Sequence, residues 1–318
     1  MRFLADRSKL TVVAAKFSCG APRAGAEKGP QAIIETGVFS QIRTRTNIAL
    51  EFVELSQNDQ DSQIPSDTDV MGMKKPREVS AASARISSSV YQQARLGHFV
   101  VTLGGDHSIG VGTVSGTAKA VRERSPGQEL GVFWIDAHAD INTPKTSLSG
   151  RLHGMPVAFV SGMAKSPKKG IFDWLEQNHL INLRKFVYIG LRDVDEAEQE
   201  TIAETGIKAF TMKDVQRYGV EKVMDLALDH IGSQTPIHAS YDIDSLDPEW
   251  APSTGFPVAS GLSLDEGVVI AKRLHESGNL IALDLVEINP DIATSHLDVT
   301  LNAGCKLIKN ALGVVDCP

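Results

Sequence analysis

The chain is 318 residues long, 42% hydrophobic and 22% charged, the proportions of a soluble globular protein with material for a sizeable core. A formal net charge of −7 excludes the basic face that a nucleic-acid partner demands, and mildly favours a cationic substrate. No run approaches the roughly 20 apolar residues of a membrane span, and the apolar stretch near the start is too short for a secretory signal. Cys19, Cys305 and Cys317 have no metal-type spacing and read as unpaired thiols in a reducing compartment, so a cytoplasmic protein is expected.

In chain order, strands are predicted at LTVVAA from Leu10, HFVVTL from His98, LGVFWI from Leu130, FVYIGL from Phe186, PIHASYDI from Pro236 and LIALDLVEI from Leu280. Helical periodicity falls around them, over 78–95, 108–123, 195–205, 220–231, 263–277 and 296–312. The strands are continuous apolar runs, as expected when helices cover both faces of a parallel sheet. The predicted class is α/β, a single domain over residues 1–318 with a mostly parallel, doubly wound sheet. Residues 56–76 are polar and aperiodic, with Pro, Gly and several Asp, and read as an exposed loop. Gly104 and Gly105 open no phosphate loop, because neither GxGxxG nor the Walker pattern is present.

Chemistry collects where strands end. VVTL runs into GGDHS, with His107 just past its end, and GVFWI runs into DAHADIN, with Asp136, His138 and Asp140. HASY runs into DIDSLDP, with Asp242 and Asp244, and LIALDLV runs into EINP, with Glu287. In open parallel sheets the ligand site lies beyond the carboxyl ends of the strands, so these groups can converge although far apart in sequence. The alternate spacing of DAHAD and DID, read as extended chain, puts their acids and histidine on one face.

Either motif alone is more often a solvated loop or a cap. Together with His107 they make four carboxylates and two imidazoles, too costly to bury without positive charge among them. Such a set exceeds the need of one tetrahedral zinc and suits two divalent ions about 3.5–4 Å apart, bridged by carboxylate and water. Its richness in oxygen favours manganese. SGRLHGMP follows DAHADIN and carries His153, read as a proton-transfer group. GLRDVDEAE brings Asp193, Asp195 and Glu198 to another strand-to-helix junction, where capping accounts for acids as well as a ligand role does. His98, His179, His230, His238, His275 and His296 show no ligand pattern and read as structural or exposed.

GGDHS, DAHADIN, SGRLHGMP, GLRDVD, YDIDSLDP and EINP, in this order, resemble the ureohydrolase family, and its arginase branch more closely than its agmatinase branch. The likeness runs from PRAGAEKGP to the last helix; LHGMP and INTP are the parts that lean toward arginase. It implies a hydrolase that cuts the guanidinium of L-arginine to L-ornithine and urea, with two Mn2+ per chain. One ion would be held by His107, Asp136, Asp140 and Asp242, the other by Asp136, His138, Asp242 and Asp244, and a bridging hydroxide would attack the guanidinium carbon. By the same resemblance Asp140 orients that nucleophile and passes its proton to the leaving amine, His153 shuttles protons to solvent, and Glu287 pairs with the guanidinium. Asp195 and Glu198 match positions that recognise an α-amino group, and Asn142 and Ser149 match positions near the α-carboxylate. A homo-oligomer, commonly a trimer, is implied as well.

Three positions depart from the family pattern. Arg151 replaces the asparagine of SGNLHG at a carboxylate-contacting position, and Phe256 replaces the second threonine of TGTP, removing a hydrogen bond beside Glu287. Asp265 stands where an arginine is common near the oligomer contact. The competing expectations are a ureohydrolase for a modified arginine or other guanidino acid, and a non-catalytic metal-binding paralogue. Complete ligands together with His153 and Glu287 argue against the latter. A zinc deacetylase would not need the pair His138 and Asp244.

Overall fold

The computed structural model describes residues 5–56, 67–166 and 168–314. Residues 57–66 of the expected loop over 56–76, and Cys317, lie outside them; residues 67–75 carry only an isolated bridge and turns, as expected of a loop. Neither Cys19 nor Cys305 is in a disulfide.

Eight strands form one sheet: β1 (Asp6–Lys16), β2 (Ala49–Ser56), β3 (His98–Gly104), β4 (Gly131–Ile135), β5 (Phe186–Leu191), β6 (Lys208–Thr211), β7 (Ile237–Asp242) and β8 (Leu280–Val286). Their order is β2-β1-β3-β8-β7-β4-β5-β6, and every pairing is parallel. The expected α/β sheet is therefore present, and more strictly parallel than the sequence reading required.

Burial on both faces explains the unbroken apolar runs. All residues of β4, β5, β7 and β8 are buried. Side chains alternate across the sheet, so Phe133 and Ile135 enter one hydrophobic cluster while Val132 and Trp134 enter the other. Helices cover both sides, and the six expected ones form close to their predicted bounds, as Pro76–Leu96, Gly110–Arg124, Glu196–Thr205, Val220–Ile231, Leu264–Glu276 and Leu297–Ala311. Ser263 caps Leu264–Glu276 and accepts from Glu266 N while the Glu266 side chain accepts in return, which fixes where that helix starts.

Two strands were not foreseen, β2 and β6, and both are sheet edges. An edge strand is wetted along one side, and Phe52 of β2 is half exposed, so neither strand shows the run of fully buried residues that marks the centre. The short helices Gly29–Glu35, Val38–Thr46, Pro156–Val160 and Met212–Tyr218 are too brief to display a helical period. No helix among the described residues is long and apolar enough to cross a membrane.

Candidate metal centre

The four central neighbours β3, β8, β7 and β4 supply the polar groups. The sequence places these groups at strand ends; adjacency in the sheet is what brings them within contact of one another. Each strand must turn sharply there. Gly105 follows β3 and passes so close to Phe17 that a Cβ would lie 1.8 Å from its carbonyl oxygen. Asp106 then caps the 3-10 turn His107–Ile109, accepting from Ser108 N at 2.9 Å. Its other oxygen accepts from Gly20 N at 2.7 Å and Ala21 N at 3.1 Å, tying the residues just before PRAG to the site.

DAHAD and DID do not run extended, so the one-face account of their spacing is corrected. β4 stops at Ile135 and a bend follows; β7 stops at Asp242 and Asp244 lies in the 3-10 turn Ile243–Ser245. In both motifs the first aspartate accepts a hydrogen bond from the backbone two residues on, from His138 N to Asp136 at 2.7 Å and from Asp244 N to Asp242 at 2.8 Å. These Asx turns fold residues i and i+2 over the same point. Asp140 and Glu287 have left-handed backbones, with φ of 52° and 64°. Non-glycine residues in that region cost on the order of 1–3 kcal/mol and cluster at functional sites.

His107 Nδ1 lies 3.0 Å from Asp136, 3.3 Å from Asp140 and 3.1 Å from Asp242, and has no hydrogen-bond partner although fully buried. His138 Nδ1 lies 3.4 Å from Asp136 and 3.2 Å from Asp244. Two sets of ligand atoms result, His107–Asp136–Asp242 and Asp136–His138–Asp244, and Asp136 belongs to both. Burial raises the carboxyl pKa values of Asp140, Asp242 and Asp244, and the negative charge of Asp136 raises each further. Burial opposes charge on His107, but Asp136 and Asp140 outweigh it and raise that imidazole to about 9. An imidazole nitrogen with no partner, facing three carboxylate oxygens that repel one another, fits divalent cations.

Above this floor is a cavity of about 230 Å³. His107, His138, Asp140, Asp242, Asp244 and Glu287 line its base, with Asn142, His153, Gly154, Asp193, Glu198 and Phe256 around them. No lysine or arginine is among these, so the lining suits a cation. Ser149, Arg151 and Asp195 are outside it; Ser149 instead accepts a hydrogen bond from the backbone of Arg151 at 3.1 Å. Asp195 and Glu198 form a reciprocal capping box on Glu196–Thr205. Each also reaches across to the segment after DAHAD, Asp195 accepting from Asn142 Nδ2 at 2.7 Å and Glu198 from Ile141 N at 3.2 Å. The capping account of these acids holds, and Glu198 faces the cavity as well.

Glu287 accepts from His107 N at 2.8 Å, and His153 Nδ1 stands 3.8 Å from it. Phe256 leans on His153, ring centres 5.0 Å apart, and meets His138 edge-on at 6.4 Å. Arg23 stacks over Phe256 at 5.5 Å and donates to Gly255 O at 2.7 Å.

Several supporting residues went unread in the sequence. Trp134 stacks flat on His107 at 4.0 Å and donates from Nε1 to Asp136 at 3.0 Å. A tryptophan inside an apolar strand run looks like core; its position two residues before the first metal-motif aspartate was the available signal. Arg192 donates to the carbonyl oxygens of Asp244, Ser245, Leu246 and Val258, which sets the loop after β7. An arginine following a strand gave no sign of this.

The arginase family model matches residues 8–313. The chain is 50% identical to the arginase of Emericella nidulans over 313 residues, 98% of this chain and 96% of that one. It is 40% identical to the arginase of Saccharomyces cerevisiae, covering 96% of this chain and 95% of that one. The arginase of Entamoeba histolytica, solved in complex with L-ornithine, superposes with a TM-score of 0.85 at 29% identity, covering 98% of this chain and all of that one. With its motifs at neighbouring strand ends and a match along nearly its whole length, the chain belongs to the arginase family.

Proposed function

We propose that this protein hydrolyses L-arginine to L-ornithine and urea, using two manganese ions held by His107, Asp136, His138, Asp140, Asp242 and Asp244. The observation that carries the reading is the pair of ligand groups that share Asp136 at the base of an acid-lined cavity. Two divalent ions, when bound, lower the pKa of a shared water into the range where it is nucleophilic at neutral pH.

The chain's own groups do the rest. Glu287 receives the guanidinium, and its backbone strain together with the bond from His107 N fixes the direction of its carboxylate. Asp140 borders both the ligand cluster and the cavity, so it can orient the attacking water and carry its proton to the departing nitrogen. The bond between the guanidinium carbon and the side-chain nitrogen breaks as that proton arrives, leaving urea and a primary amine. His153 is partly exposed at the rim and relays protons to solvent. Glu198 and Asn142 line the side on which the amino-acid end would rest. Ser149 and Arg151 stand beyond, where they would meet the carboxylate only at the mouth.

This reading takes the protein as a cytoplasmic homo-oligomer, a trimer by family resemblance; light scattering after gel filtration tests the assembly. Urea release from a panel of guanidino compounds with added manganese tests the activity. Arginine is expected to lead the panel, and release from a different guanidino acid alone would reassign the substrate.

A further inference from the structure

His238 and Asp284 are fully buried on neighbouring central strands, β7 and β8, in runs that are otherwise nearly all apolar. A buried carboxylate in mid-sheet is costly, and a side chain such as valine would pack there at no such cost. Asp284 takes part in no contact with the cavity. It holds Thr113 Oγ1 at 2.6 Å, His238 Nε2 at 2.8 Å and Ser240 Oγ at 3.2 Å, all on one carboxylate oxygen. Its other oxygen has no partner. His238 Nδ1 meets Thr117 Oγ1 at 3.0 Å. Ser240 Oγ lies 2.9 Å from His107 Nε2, the ring atom opposite the nitrogen that faces the metal ligands.

The polarity of this chain can be worked out from its acceptor. A carboxylate only accepts, so the single hydroxyl hydrogen of Ser240 is directed to Asp284. Ser240 then offers only a lone pair toward His107, and the His107 proton must sit on Nε2 to meet it. In the neutral ring Nδ1 is then left bare, facing three carboxylate oxygens with no hydrogen-bond partner.

We infer that Asp284 is a positioning residue: with Ser240 as intermediary and with Thr113 and His238 holding its carboxylate, it locks His107 in the tautomer that can ligate a divalent cation. The inference rests on the metal reading above. Outer partners of this kind orient ligating histidines, and their loss costs about 10–100-fold in metal affinity.

The experiment uses the full chain and Mn(II) alone. In metal-free protein labelled with 15N at histidine, the neutral form of the His107 ring is expected to report a protonated Nε2 and a bare Nδ1. Asp284→Asn can place an amide donor opposite Ser240 and so reverse the chain. It is expected to move the His107 proton toward Nδ1 and to weaken manganese binding by calorimetry about 10–100-fold. Asp284→Asn leaves a buried network altered, so Ser240→Ala serves as the second variant. It cuts the link to His107 while keeping Asp284 with Thr113 and His238, and it too should weaken Mn(II) while the metal-free protein still unfolds cooperatively. Ser240→Thr, which keeps the hydroxyl, should restore the affinity.

Both variants binding Mn(II) as the parent does, with the His107 proton unmoved, would overturn the inference and leave Asp284 a packing residue. Failure of the parent itself to bind Mn(II) would sink the metal reading instead.

Discussion

The floor and the rim of the cavity are built on different terms. Floor residues sit at the ends of four adjacent buried strands and are held by hydrogen bonds: Asp136 by Trp134 and a backbone amide, Glu287 by His107 N, Asp242 by Asp244 N. Rim residues sit on loops. Ser149 is exposed, Arg151 and Phe256 are partly so, and their contacts are few. Both departures from the family pattern within the substrate shell, Arg151 and Phe256, fall on the rim. A floor of mutually dependent charges tolerates no single change, whereas a rim residue can be exchanged at the cost of one contact.

The floor should be broken first and hardest by removing metal. Chelation is expected to abolish urea production, and protein loaded with Mn(II) and freed of loose ions should contain two ions per chain by elemental analysis. One tightly held zinc with full activity would contradict the double site. Asp140→Asn should come next, lowering kcat by about 10²–10⁴-fold with little change in KM, since its work is on the proton in flight. A loss confined to KM would return Asp140 to a binding role.

Rim changes should be milder. His153→Asn is expected to slow turnover by about 10–100-fold, with partial rescue by imidazole; the pH–rate profile of that variant should differ from the parent's. Phe256→Thr with Arg151→Asn should raise arginine turnover, because a donor returned beside Glu287 is worth about 1–3 kcal/mol. The same double change should narrow any preference for arginine over agmatine, read as the ratio of kcat/KM values. An unchanged ratio would show that Arg151 does not read the carboxylate.

The smallest effect concerns Glu198, on the border of the two regions. Burial, then the charge of Asp195, raises its pKa from 4.5 to about 7. Between those values the folded protein keeps a proton that the unfolded chain has lost. Stability should therefore fall as pH rises through that window, and the deficit should be complete above it. Metal-free Glu198→Gln should show a flatter melting curve against pH than the parent.

The floor was also the more legible region in the sequence. A polar cluster directly after an unbroken apolar run announces itself, and the metal-motif positions named from those runs are the ones the sheet brings together. Edge strands β2 and β6 were invisible because their burial is one-sided or too short to register. The local geometry of DAHAD was misjudged because an Asx turn and an extended strand can both bring residues i and i+2 together. Ser240 and Arg192 were illegible because their partners are far away in sequence, as with the bond from His107 Nε2 to Ser240 across 133 positions, and Trp134 because a tryptophan inside an apolar strand run looks like core. The rim was partly legible: Asn142, His153 and Phe256 do line the cavity, while Ser149 and Arg151 do not.

The pairing of β3 with β8 has a consequence for synthesis. The bond from His107 N to Glu287 closes across 180 positions, and β8 lies between the strands that carry His107 and Asp242. A chain leaving the ribosome at about 5–20 residues per second must wait roughly 10–40 s after His107 emerges before Glu287 follows. During that interval the sheet lacks its central member, and neither flank has its full neighbour. Nascent chains halted before residue 280 should therefore stay protease-sensitive and chaperone-bound whatever the metal supply. Ion capture can only follow completion of the sheet, as the last event in maturation.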